Sequence, residues 1–162
     1  MLNVIIEGVI LSLCLYLSCA WGIRNGAVNM VFLYEKQVQD RAIELGLTTE
    51  EKIRTSGKRF KLLGLLFYFV YTLVCVYAIN GTRGFLHCFI QFVSIFLIMG
   101  VFDRICIDLI WVGYTKAWII PGTEDLMPYI SVKAHIFKWI MTLVMYPALA
   151  AVVCGIMTFL PI

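Results

Sequence analysis

Charge is what this sequence has least of. Only 14% of its 162 residues are Asp, Glu, Lys or Arg, while 62% are hydrophobic. Water-soluble domains run nearer a quarter charged and half apolar, by about that much on average. A soluble fold of this length has too little interior to hide so much apolar surface, and a mean hydropathy of +0.92 points to the bilayer as the solvent.

Other absences narrow the chemistry. The six cysteines (Cys14, Cys19, Cys75, Cys88, Cys106 and Cys154) include no C-x-x-C pair, which argues against a zinc site or a thioredoxin-like redox motif. Most lie inside apolar runs, where a free Cys acts as a small hydrophobe. There is no Walker loop, no G-x-G-x-x-G, no H-E-x-x-H and no G-x-S-x-G, so the usual sequence marks of nucleotide binding, zinc proteolysis and serine hydrolysis are missing. No basic run is interleaved with aromatics, so no nucleic-acid partner is expected. Internal repeats and low-complexity segments are lacking too. The opening Met1-Leu2-Asn3-Val4 has no basic region and Glu7 interrupts the apolar run. Despite the small residues Ser18-Cys19-Ala20, that run is therefore read as a retained helix rather than a cleaved signal.

What is present is a set of apolar runs of membrane length. Crossing a hydrocarbon core of about 30 Å takes about 20 residues of helix. Four runs qualify: 4–23, 62–79, 85–102 and 136–160. Helices are the expected form, because an unpaired backbone group in lipid costs several kcal/mol. The expectation is an all-α, integral membrane four-helix bundle forming a single transmembrane domain over 1–162, with connections at 24–61 and 103–135.

The first connection is the one markedly hydrophilic stretch. Val38, Ala42, Ile43 and Leu45 recur at helical spacing, which predicts an amphipathic helix ended by Gly46. Thr48 to Glu51 matches a capping box with Thr48 as the cap, so a further helix should start there and run on into the second span, with Gly57 as a weak point. The short Asn80–Gly84 turn makes spans two and three a tight hairpin. It also carries the sequon Asn80-Gly81-Thr82, which is read as a chance match so close to the membrane. A helix from Phe85 through Trp118 would be about 50 Å long at 1.5 Å per residue, so the third helix should protrude, bend or break near Asp103. A fifth span over Ile105–Ile120 is the alternative, made costly by Asp108 and Lys116. In the fourth span Pro147 should kink the helix. Beside it Ala148, Ala151 and Gly155 form a small-residue face suited to close packing, in the bundle or in a homo-oligomer.

The basic residues are lopsided. Segment 24–61 holds eight Lys and Arg, the hairpin turn only Arg83, and the region beyond the third span Arg104, Lys116 and Lys133, with Lys138 at the mouth of span four. The positive-inside bias then puts both long connections in the cytoplasm and both termini outside, in a multi-pass protein of the cell membrane. Basic residues from Lys52 to Lys61 suit anionic lipid head groups at the cytoplasmic face.

One constellation could carry chemistry. Arg104 and Asp108 are four apart and can pair on a helix, with Trp111 close to the same face, whereas Asp103 should point about 140° away from Asp108 at 100° per residue. Lys116, Glu124, Asp125 and His135 approach the same boundary. Asp108 with Glu124 and Asp125 would make a carboxylate cluster, but the spacing matches no standard ligand pattern, and neither metal nor cofactor is predicted. At the other boundary Glu7 should pair with Arg83 or His87, which would make its burial tolerable. A Cys75–Cys88 disulfide is conceivable there.

The four-span plan resembles that of the membrane-associated glutathione and eicosanoid proteins. The likeness is of plan alone: Arg24-Asn25…Asn29…Glu35 does not reproduce their Arg/Asn/Glu pattern, and no residue role is carried over. The expectation is a small polytopic protein with a binding, transport-accessory or regulatory role. The alternative is a membrane enzyme acting on a lipid or other amphiphile at the cytoplasmic boundary.

Overall fold

The computed structural model describes residues 1–159, so Leu160, the final residue of the expected fourth span, lies outside it. Helix α1 spans Leu2–Ile23 and is followed by a 3₁₀ segment, Ala27–Leu33. Helix α2 is Lys36–Glu44, and α3 is Glu50–Leu73, continuing as π-helix through Val74–Ile79. Helix α4 is Phe85–Phe102 and also continues as π-helix, over Asp103–Val112. After short 3₁₀ turns at Lys116–Trp118 and Glu124–Leu126, α5 runs over Val132–Thr158. The described residues contain no strand.

Local chemistry sets these boundaries. Gly46 ends α2 in the left-handed region at φ +69°, which a side chain would strain. The cap of α3 is Thr49, one residue later than the capping box suggested: its side chain accepts from the Lys52 N–H at 3.2 Å while Thr48 is buried. Capping needs extended backbone with a free hydroxyl, and Thr49 has both. The helix then passes Gly57 without a break, because Gly57 allows Phe32 to lie against it: a Cβ there would sit 3.2 Å from Phe32 Cβ. Ser131 caps α5 in the same way, accepting from Ala134 N–H at 3.2 Å. Helix α5 runs through Pro147 without ending there.

The third long helix neither breaks at Asp103 nor reaches Trp118. It stays helical to Val112, a 28-residue rod about 42 Å long at 1.5 Å per residue. Helical backbone ends after Gly113–Tyr114, where the chain enters an irregular segment. A fifth span over 105–120 is thereby excluded, since Thr115 and Ile119 have extended backbone.

Helix α4 is the hub, packing along α1 on one side and α5 on the other. Two glycines permit this: a Cβ at Gly8 would lie 2.8 Å from Ile98, and one at Gly100 would lie 2.7 Å from Thr142 and 2.8 Å from Tyr146. Such close approach is how helices gain van der Waals contact in lipid, where burial of apolar surface offers no net drive. Phe92 stacks on Phe96, and Phe96 meets Tyr146 of α5 with ring centres 5.2 Å apart. Helix α3 is held loosely by comparison, touching mainly the 27–33 segment. Only 17% of its apolar window is buried, against 39% for α1. Leu62, Leu63, Leu65 and Leu66 all face outward at 58% exposure or more. Four helices long and apolar enough to cross a membrane, with apolar exteriors, make this a multi-pass membrane protein.

Both long connections meet at one end of the bundle. Ser131 N–H donates to Glu35 Oε1 at 2.9 Å, Arg41 and Asp125 approach to 3.6 Å, and Tyr34 Oη donates to the Trp118 carbonyl at 2.8 Å. Trp118, Ile120, Thr123 and Tyr129 are almost wholly buried there. The Tyr129 hydroxyl accepts from Ile120 N–H at 3.1 Å and shares a 2.7 Å bond with Thr123 Oγ1. These bonds satisfy irregular backbone that would otherwise be stranded at the membrane edge.

A charged cavity beneath the joined connections

Directly under this cap lies a cavity of about 310 Å³ between α1, α3, α4 and α5. Its polar wall is Asp103, Arg104, Asp108, Lys138, Lys61 and Tyr34; Leu15, Cys19, Phe32, Phe60, Ile107 and Trp118 supply apolar surface. Arg104 is the centre of an ion cluster. Its Nη2 donates to Asp103 Oδ2 at 2.6 Å, and its Nη1 donates to Asp108 Oδ2. Lys138 Nζ of α5 donates to the same Asp108 oxygen at 3.0 Å, tying the π-helical segment to α5.

The expected Arg104–Asp108 pair is therefore present, but Asp103 does not point away from it. An α-helix would separate Asp103 and Asp108 by about 140°. The π-helix bonds i to i+5, and this wider turn brings residues five apart onto one face. Both carboxylates thus reach one guanidinium and line one cavity.

Two donors on the wall are left over. Arg104 Nε and Trp118 Nε1 are buried without a hydrogen-bond partner, and Trp118 is only 1% exposed. A buried donor without an acceptor costs about 1–3 kcal/mol; neither nitrogen is open to the cavity, so an acceptor in it reaches them only if a wall side chain shifts. Lys138 also has ammonium hydrogens beyond the one given to Asp108. Arg104 and Lys138 balance the two carboxylates, and Lys61, exposed at the cavity's edge, adds one positive charge. Both carboxylates are committed to cations, an arrangement better suited to holding an anion than to moving protons.

The other expected site residues scatter around this centre. Trp111 packs edge-on to Trp118 with ring centres 5.2 Å apart, and against Tyr16 at 4.7 Å, so it buttresses the wall. His135 lies on a second cavity, of about 260 Å³, which Asp108 also lines. Lys116 is exposed. Glu124 and Asp125 do not join Asp108: Glu124 Oε2 accepts from Gly122 N–H at 2.9 Å, and Asp125 faces Arg41 at 3.6 Å. Both acids sit on the outer turn of the connection, where water and local donors satisfy them. Among the described residues, no three His, Cys, Asp or Glu side chains converge as metal ligands.

Sequence reasoning left Lys138 out of the site and treated Tyr34 and Lys61 as flanks. For Lys138 a signal existed: a cation inside the run from Ile136 to Thr142 is an intramembrane charge that needs a partner. Tyr34 gave no such sign. Its phenol is buried against Tyr129, 4.7 Å between ring centres, and burial pushes its pKa far above the ordinary phenol value, so it remains a neutral donor.

At the opposite end, Glu7 finds neither Arg83 nor His87. Asn80 Nδ2 donates to Glu7 Oε1 and Oε2 at 3.0 and 3.1 Å and to Gln91 Oε1 at 3.1 Å. Arg83 instead turns to backbone, donating to the Thr82 carbonyl at 3.1 Å. The π-turn that ends α3 places Asn80 over α1, so an amide reaches the carboxyl before the longer Arg83 does. Cys75 and Cys88 are free thiols. The small-residue face of α5 is not covered within the bundle, since Ala148 is exposed and a Cβ at Gly155 would meet nothing within 4 Å.

Compared with known proteins, the chain matches no protein-family model, no curated protein and no solved structure.

Proposed function

We propose that this chain is a membrane-embedded binding protein, with a transport-accessory or regulatory role, whose charged cavity takes the anionic head of an amphiphile. The observation that carries the reading is the convergence of Arg104, Lys138 and, at the edge, Lys61 on one cavity wall that holds only two carboxylates. A planar guanidinium already oriented by Asp103 and Asp108 is a preorganised receptor for a carboxylate or phosphate. The apolar remainder of the wall suits the neck of a lipid-like molecule.

The orientation belongs to the same proposal. Twelve of the thirteen Lys and Arg residues flank the end where the connections meet, and Arg83 alone flanks the other. The positive-inside bias then makes the cavity end cytoplasmic and both termini external, in the cell membrane. Labelling of single added cysteines by an impermeant maleimide tests this: Glu124→Cys should react only in inverted vesicles and Gly81→Cys only in intact cells.

Native mass spectrometry of the detergent-purified protein tests the binding. The unmodified chain should retain an anionic amphiphile, and Lys138→Met, which removes an ammonium from the wall, should weaken retention about tenfold, the worth of one charge-assisted hydrogen bond. Retention undiminished in both Lys138→Met and Arg104→Gln would sink the proposal. A lipid-modifying enzyme is the second reading, favoured only by Asp108 standing between the head-group cavity and the His135 cavity. Turnover of a retained lipid that stops in His135→Ala would support it.

A further inference from the structure

A second, apolar recess opens beside the charged cavity. It lies between α1 and α3, has a volume of about 520 Å³, and is walled by residues that include Leu17, Ser18, Leu63, Gly64, Phe67 and Tyr68. Helices α1 and α3 fail to close on each other here. Phe60 lines both this groove and the charged cavity, and its ring rests on Phe32 at 5.4 Å. The two spaces therefore share one aromatic partition: polar and cationic on one side, mainly apolar on the other, with Ser18 and Tyr68 as its polar residues.

In a bilayer, a gap between helices does not stay empty, because its lining would forfeit dispersion contacts. Free lipid chains gain little by entering, since they leave equally apolar surroundings. A chain attached to a head group already held in the charged cavity is different. Its entry is intramolecular, so the tether supplies a high effective concentration. The cations of the wall select a head with several acceptor oxygens, a description that fits a phosphate better than a single carbonyl or a zwitterion's ammonium.

We infer that the α1–α3 groove seats one acyl chain of an anionic phospholipid whose phosphate occupies the charged cavity, with Phe60 between them. This rests on the binding reading above and adds the head-group chemistry and the path of the chain. Gly64 is the gate residue. A Cβ there would lie 3.4 Å from Tyr68, ordinary contact, so a small side chain fits and a large one fills the groove.

The test uses the whole chain in nanodiscs of phosphatidylcholine doped with phosphatidic acid carrying a diazirine in one acyl chain. Photolabelling should map to Leu17, Leu63 or Phe67, should be competed by unlabelled phosphatidic acid, and should not be competed by added phosphatidylcholine. Gly64→Phe should cut groove labelling at least tenfold. Label spread evenly over the outward faces of α1, α3 and α5 overturns the groove assignment, as does groove labelling that phosphatidylcholine competes equally. The same holds for a chain–chain dimer that shields the groove. Native mass spectrometry separates the two failures. If a phospholipid is retained but the groove is unlabelled, the chain path alone is wrong; if none is retained, the binding reading has failed as well. Because labelling is read first in the unmodified protein, a Gly64→Phe chain that does not fold leaves the proposal testable.

Discussion

Replacing Asp108 with alanine removes the group on which two cations converge. In the folded protein the Asp108 side chain is 10% exposed and Arg104 12%, so this pair is almost out of contact with solvent. Breaking a buried ion pair by deleting one partner costs about 3–5 kcal/mol, because the surviving charge stays buried. Two features hold the loss at the lower end. Arg104 keeps Asp103 at 2.6 Å, and Lys138, with 31% of its side chain exposed, can swing its ammonium toward water. The expected destabilisation is about 3 kcal/mol, or about 6–12 °C in Tm for a chain of this size. Asp108→Asn, which keeps one acceptor oxygen, should lose roughly half as much on the same scale. Thermal unfolding in detergent, followed by near-ultraviolet circular dichroism, measures both. A double-mutant cycle with Lys138→Met should show coupling below about 1 kcal/mol, as befits a partly exposed pair. The cycle with Arg104→Met should show the larger part. If Asp108→Ala costs under about 1 kcal/mol, or if the Asp108 and Arg104 changes add within about 0.5 kcal/mol, the buried Arg104–Asp108 pair does not stabilise the π-helical segment, and the reasoning fails.

Other consequences can be checked on the same preparation. Gly100→Val should destabilise by about 1–3 kcal/mol through overpacking, since its Cβ would meet Thr142 at 2.7 Å; Thr142→Ser, which removes the opposing methyl, should restore part of the loss in thermal unfolding. Tyr34→Phe deletes the 2.8 Å bond to the Trp118 carbonyl and should lower stability by about 1–3 kcal/mol, the cost of a stranded buried acceptor; an unchanged Tm would show that water replaces the phenol. Hydrogen bonding from Ser131 holds the Glu35 carboxyl below its ordinary value of 4.5. A depressed carboxylate pKa contributes stability above the unfolded value, and this is lost as pH falls through the folded one. The Ser131 amide proton shift should therefore titrate with a midpoint below pH 4.5. Glu35→Gln should abolish that titration.

The four rods were legible because a bilayer imposes a length and a composition that a chain cannot disguise. Runs of 18 or more apolar residues separated by Arg24-Asn25-Gly26, by Asn80-Gly81-Thr82-Arg83-Gly84 and by the polar connections mark the four long helices, two of which extend ten or more residues beyond their apolar run, to Glu50 and to Val112. Arg104 and Asp108 were legible as a pair because four-residue spacing is intrinsic to a helix. Where the sequence misled, the missing quantity was distance across the fold. Glu124 and Asp125 resemble partners for Asp108 on charge alone, yet a turn at Gly122 and the neighbouring Arg41 claim them.

Sequence by itself therefore determined the solvent, the number of crossings and the lopsided distribution of cations, because each depends on composition along a short stretch. Tertiary structure alone decided that the helix carrying Asp103 widens into a π-turn and brings two carboxylates to one guanidinium. It also decided that Lys138 arrives from another helix, and that α1 and α3 stay apart. Those outcomes depend on which surfaces fit when four rods pack side by side, and steric fit between distant segments leaves no periodic trace in a single chain.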